Sequence, residues 1–190
     1  MSRCTCRTAS GHYALVVLPA IFLTGVPGSG KTAVAHEISE LLWQLDEPHA
    51  VIDLDELGRG VIPGGSEDFN LALVVENLKS VWSNFRATGV QRLVLARVVQ
   101  TRAELLRLCE AVPDCDVSTW RILASDEVIE ERIMRREAGS ARDFLLSVAR
   151  RLNHAPDLQS LPGAIVRNDG RESITDVART ILAGANWPCP

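Results

Sequence analysis

Gly25, Gly30, Lys31 and Thr32 stand at the spacing G-x-x-x-x-G-K-[ST] within Gly25-Val26-Pro27-Gly28-Ser29-Gly30-Lys31-Thr32. Small residues at this spacing let successive backbone N–H groups curl around a phosphate, and a helix beginning at the lysine adds its own donors and partial positive charge. Lys31 can then reach the terminal phosphates of a nucleoside triphosphate, and the Thr32 hydroxyl is placed to ligate Mg²⁺. Lysine is otherwise scarce: Lys31 and Lys79 are the only two in 190 residues. The pattern predicts binding of a nucleoside triphosphate across Gly25–Thr32.

Further groups with the right chemistry fall at regular places along the chain. Asp53 and Asp55 follow an apolar run. A carboxylate beside a triphosphate can hold Mg²⁺ through water or accept the proton of an attacking hydroxyl. Asp53 is expected near the metal and Asp55 as the base, though the opposite division stays open. A third apolar run ends in Arg97, where many phosphate-loop ATPases carry a metal-binding acid. That replacement argues against a motor or switch ATPase. Arg97 either binds an anionic acceptor or pairs with the two aspartates. Arg132, Arg135 and Arg136 share one helix, and arginines three or four apart face the same side. They can neutralise a moving phosphoryl group or stack on a purine, or they can simply form a solvated helix face.

The elements that must position these groups follow from hydrophobic periodicity. Ile21–Thr24 reads as a strand running into the glycine-rich turn, and a helix continues through Trp43. Strands are expected at Ala50–Asp53, Gln91–Ala96, Thr119–Leu123 and Ala164–Arg167. Helices are expected at about 68–86, 101–112, 126–137 (capped by Ser125), 142–152 and from Ser173 through Leu182, with Gly139-Ser140 as an interruption. Asn168-Asp169-Gly170 forms a turn. Alternating strands and helices imply an α/β fold with a parallel sheet covered on both faces. In such a sheet, ligands sit beyond the carboxyl ends of the strands, where the candidate residues lie.

The totals fit one soluble α/β domain, with 46% hydrophobic and 23% charged residues. A net charge of −4 gives no sign of a general nucleic-acid or membrane binder. Five cysteines without framework spacing point to reduced thiols in the cytoplasm. Arg3, Arg7 and the apolar stretch up to Leu23 resemble a secretory signal, but that stretch flows directly into the phosphate loop. Residues 1–18 are therefore expected to be an extension, with a natural translational start near Val16 or Val17, and residues 19–190 a single domain.

This set of residues resembles the phosphate-loop kinases of small molecules and nucleotides, the superfamily of adenylylsulfate, gluconate, shikimate and nucleoside monophosphate kinases, chloramphenicol phosphotransferase and 5′-polynucleotide kinase. The likeness runs from about Ala20 to Leu182. It rests on the Gly25–Thr32 loop, Asp55-Glu56-Leu57, Arg132-x-x-Arg135-Arg136 and Asn168-Asp169-Gly170. Asn77-Leu78 and Arg92-Leu93-Val94-Leu95-Ala96 are similar to a group of actinobacterial proteins known as AAA-family ATPases or adenylylsulfate-kinase-like. The resemblance implies a three-layer P-loop NTPase fold with sheet order 2-3-1-4-5 and an arginine-bearing lid over about 132–152. It implies Asp55 as base or acceptor-binding acid, Arg132 against adenine, and Arg135 or Arg136 as the lid arginine. Asn168 and Gly170 would border the base, and 58–86 would cover the acceptor with Arg59 as a contact. Asp53-Leu54-Asp55-Glu56 departs from the adenylylsulfate kinase motif, and Ala96-Arg97-Val98 from the shikimate kinase glycine cluster.

The expected function is transfer of the γ-phosphoryl group of ATP, with Mg²⁺, to a hydroxyl or phosphate of a small molecule. Two other readings stay open: a regulatory nucleotide-binding protein with little transfer activity, and a 5′-end kinase of nucleic acid. Homodimerisation is left open as well.

Overall fold

Five strands align in parallel in the order β2-β3-β1-β4-β5. They are β1 (Leu18–Thr24), β2 (His49–Asp53), β3 (Arg92–Arg97), β4 (Cys115–Leu123) and β5 (Ala164–Arg167). The computed structural model describes residues 17–60, 63 and 70–190. The expected extension up to residue 16, with Cys4 and Cys6, and most of the expected acceptor cover between 61 and 69 lie outside the described residues. β1 is central, its register running Ile21↔Val94 and Leu23↔Ala96 on one side and Ile21↔Ser118 and Leu23↔Trp120 on the other.

β1 and β3, in the middle of the sheet, are buried on both faces because they are apolar at consecutive positions, whereas β2 buries alternate residues and the edge strand β5 buries only Val166. Ile21, Leu23, Val94, Ala96, Trp120, Ile122 and Val166 pack beneath α1 (Lys31–Trp43) and α8 (Ile174–Gly184). The alternate residues Ala20, Phe22, Ile52, Leu93, Leu95 and Val117 face the second core. Helices α3 (Leu71–Ala87), α4 (Arg102–Glu110), α5 (Asp126–Arg136), α6 (Gly139–Asn153) and the short α7 (Pro156–Gln159) close that core. The three-layer α/β fold and the strand order are as expected from the sequence.

Local signals place the helix ends. Thr101 accepts the Glu104 N–H, Ser125 the Val128 N–H and Ser173 the Asp176 N–H, each hydroxyl satisfying an orphan donor of a first turn. Asp53 does the same for α2 (Leu54–Leu57), accepting the Asp55 N–H. This single turn follows β2 directly, and Asn77 of α3 donates to its Leu57 carbonyl at 2.7 Å.

Four boundaries differ from expectation, the first being β1, which begins at Leu18, three residues before Ile21, and pairs there with Cys115. β4 begins at Cys115, four residues early, because Cys115–Ser118 pairs with Leu18–Ile21 despite its polar pattern. α6 begins at Gly139, so Gly139-Ser140 lies inside the helix, and the break falls at Glu137 and Ala138, both extended. α3 begins at Leu71 behind Asn70, which takes a left-handed φ of 54°.

Leu95 is wholly buried in the middle of β3. Leu95→Ala should therefore lower unfolding stability by about 2–5 kcal/mol, read as a shift of the urea midpoint at unchanged slope.

Candidate active site at the carboxyl ends of the strands

The phosphate loop leaves β1 at Thr24 and enters α1 at Lys31, with Gly30 as a left-handed N-cap (φ 101°) that offers no side-chain cap. The first-turn N–H groups of α1 thus stay available to an anion. Three glycines of the loop leave no room for a side chain, Gly28 among them, where a Cβ would lie 2.9 Å from the Ile129 carbonyl oxygen. A Cβ on Gly25 would lie 2.4 Å from the Ile122 carbonyl oxygen, and one on Gly30 would lie 2.3 Å from Asn168 Nδ2.

Asp53 and Asp55 take separate places. Thr32 Oγ1 donates to Asp53 Oδ2 at 2.7 Å. The other oxygen, Asp53 Oδ1, accepts the Asp55 N–H at 3.0 Å. A hydroxyl and a carboxylate held together suit Mg²⁺, which takes one or two protein oxygens and completes its shell with phosphate and water. Among the described residues no three His, Cys, Asp or Glu side chains gather as a metal cage. Asp55 instead faces the two cations, its Oδ2 lying 3.7 Å from Lys31 Nζ and its Oδ1 3.7 Å from Arg97 Nη1. It also receives the Val98 N–H at 3.4 Å.

Lys31 is buried. Burial lowers its pKa, an effect opposed by the charges of Asp55 and Asp53 and reinforced by Arg136. Arg135 and Arg136 are both exposed; the Arg136 charge adds to the lowering at Lys31 and the Arg135 charge to that at Arg132.

On the other side of the loop, Arg132 Nη1 donates to the carbonyls of Gly28 (3.4 Å) and Ser29 (3.3 Å), and Nη2 to Asn168 Oδ1 (3.2 Å). Asn168 Nδ2 donates to the Ser29 carbonyl at 2.9 Å. Burial lowers the pKa of Arg132. The turn that carries Asn168 is fixed to β4, because the Asn168 N–H bonds the Leu123 carbonyl and Asp169 accepts the Ser125 N–H. Gly170 completes that turn at φ 77°.

Two candidates sit apart from open solvent or apart from the loop. Arg97 is 1% exposed, and its Nε donates to Glu104 Oε1 at 3.2 Å while Nη1 donates to the Leu54 carbonyl. Of the pairing expected with Asp53 and Asp55, the geometry contains the Asp55 part, at 3.7 Å, with Glu104 as the nearer partner; direct contact with an acceptor is not supported for so buried a group. Arg59 is exposed and pairs with Glu56 three residues earlier. Glu104 was not singled out from the sequence. Its one signal, Thr101-x-x-Glu104, reads as a capping box, which accounts for the residue without any partner from β3.

The chain has recognisable relatives. It is 31% identical over 130 residues to an adenylyl-sulfate kinase of Acaryochloris marina, a match covering 65% of this chain and 58% of the relative. The match thus spans less than two thirds of the relative's length. Among solved structures, a sugar kinase from a Janibacter species superposes with a TM-score of 0.58 at 20% identity, covering 87% of this chain and 93% of that one. An APS kinase of Mycobacterium tuberculosis, solved with AMPPNP and APS, gives 0.57 at 18% identity, covering 87% and 95%. No family model matches the chain. The resemblance drawn from the sequence holds: this is the fold of the phosphate-loop kinases.

Gly30→Ala should cost about 1–3 kcal/mol in backbone strain and, by displacing Asn168, weaken binding of a non-hydrolysable ATP analogue. Gly89→Ala at the end of α3 shares a positive φ of 87° but meets no neighbour, so it should leave that affinity unchanged in calorimetric titration.

Proposed function

We propose that this chain is an ATP-dependent kinase that transfers the γ-phosphoryl group to a small-molecule acceptor, working in the cytoplasm. The observation that carries the reading is the division of labour between two carboxylates one residue apart. Asp53 holds the Thr32 hydroxyl at 2.7 Å, and Asp55 lies 3.7 Å from the Lys31 ammonium. Phosphoryl transfer needs positioning, charge neutralisation and a group that orients the nucleophile, and little else from the protein. The adenylyl-sulfate kinase relative and the kinase neighbours support the same reaction class.

In this mechanism Mg²⁺ would be held by Thr32 and Asp53 and would supply charge neutralisation at the phosphate oxygens. The loop N–H groups and Lys31 bind the phosphates and stabilise charge on the moving group. Arg132 and Asn168 flank the site for the base, with Gly170 shaping the turn, and Arg136, with Arg135 beside it, approaches the phosphates from the lid helix. Asp55 orients an acceptor hydroxyl and takes its proton as the new O–P bond forms and the bond to the ADP oxygen breaks. Arg59, at the mouth of the acceptor side, is left to contact the acceptor.

ADP release from Mg-ATP, measured with and without a panel of alcohols, sugars, nucleosides and aminoglycosides, tests this. An acceptor should stimulate release, Lys31→Ala should reduce the stimulated rate by about 10²–10³-fold, and Asp55→Asn should cut it by about 10²–10⁴-fold to a residual, still measurable stimulation while ATP still binds. Tight ATP binding with no stimulation by any member would instead make the nucleotide a switch ligand.

A further inference from the structure

We infer that Glu104 is a positioning residue for Asp55, acting through Arg97; this rests on the kinase reading in which Asp55 meets the acceptor. Arg97 lies between the two carboxylates, with Nε donating to Glu104 Oε1 at 3.2 Å and Nη1 3.7 Å from Asp55 Oδ1. Glu104 is itself fixed, because its second oxygen, Oε2, accepts the Gln100 N–H at 2.8 Å. The Leu54 carbonyl takes a further Arg97 donor at 3.3 Å, immediately before Asp55 in the chain. The guanidinium is 1% exposed and Glu104 almost as deeply buried, so the Arg97–Glu104 pair is not weakened by solvent as a surface ion pair would be, whereas Asp55 is 36% exposed and marks the open end of the chain of contacts.

The orientation follows from this chain of contacts. Asp55 is only half-buried, and one of its oxygens faces Lys31. With Lys31 turned to phosphate, the contacts left on the carboxylate are Arg97 Nη1 and the Val98 N–H, both on Oδ1. Those two contacts leave Oδ2 as the oxygen directed to the acceptor. Arg97 can hold Oδ1 in place only while its own fork is held, and a rigid planar fork anchored at Nε transmits that fixation to Nη1. Glu104 supplies the anchor. An amide in its place can accept one of the two N–H groups that now share the carboxylate, but not both.

Glu104→Gln should therefore lower acceptor-stimulated turnover strongly, since misplacing a reacting group by about 1 Å costs roughly 10²-fold, while ATP affinity changes little. The unfolding midpoint falls, because the buried Arg97 guanidinium loses a charged partner, so turnover is compared where both proteins are fully folded. The decisive comparison is the double variant: Glu104→Gln should have no further effect in an Asp55→Asn background, because both act on one group. Losses that multiply, or a Glu104→Gln enzyme as fast as the parent, would overturn the inference. A parent-like rate in Asp55→Asn alone would instead overturn the assignment of Asp55. A second measurement is independent of turnover. The Asp55 carboxyl-carbon resonance should shift in Glu104→Gln at fixed pH, with the exposed Glu110→Gln of the same helix as control. An unmoved resonance would equally sink the coupling.

Discussion

The missing side chain at Gly30 is the constraint on which the site depends. The loop must turn left-handed at that residue, and the Asn168 amide occupies the space a Cβ would fill. That close approach lets Asn168 and Arg132 bond the loop's own carbonyls at Ser29 and Gly28. Carbonyls tied down on the outer side leave loop N–H groups free for the phosphate proposed above, apart from the Ser29 N–H, which bonds the Val26 carbonyl. Gly25 does the same at the opposite end, where the loop passes within contact of the β4 backbone. A phosphate cradle of this kind is a packing result. It needs β4, the turn after β5 and the lid helix in place before the loop holds one shape.

Charge in the site is arranged in alternation. From the metal side inward run the Thr32 hydroxyl, Asp53, the Asp55 N–H, the Asp55 carboxylate, then Lys31 on one hand and Arg97 with Glu104 on the other. Removing one member of a buried pair strands the other, which is the costly event, whereas the intact pair adds little net stability. The Arg97–Glu104 pair is therefore weak as a stabiliser of the fold. What it provides is a fixed direction for a carboxylate at the mouth of the site.

Much of this was legible in the sequence because it depends on local rules. The loop, the caps at Thr101, Ser125 and Ser173, and the two-sided burial of β1 and β3 follow from residue types at fixed spacing, and the sheet order from a family likeness. Less legible was anything set by pairing at a distance. Cys115–Ser118 looks like a loop until Leu18–Ile21 lies beside it as a strand. Glu104 looks like a helix cap until Arg97 is seen to lie across from it. Arg97 itself was read as two things at once, since a strand-end arginine can serve a ligand or a neighbour; burial, which no single residue announces, separates them.

In the kinase proposed above, the position of Arg97 also accounts for a metal-side acid on β2 rather than on β3. A carboxylate at the end of β3 would lie beside Asp53 and Asp55, since Asp53 is in register with Ala96 and the next position is Arg97. Three acids on adjoining strand ends would repel one another, and one would have to neutralise or move. An arginine there removes the third acid and balances the second. Asp53 can then serve Thr32 while Asp55 faces outward, a separation of roles that a cluster of three acids would not permit.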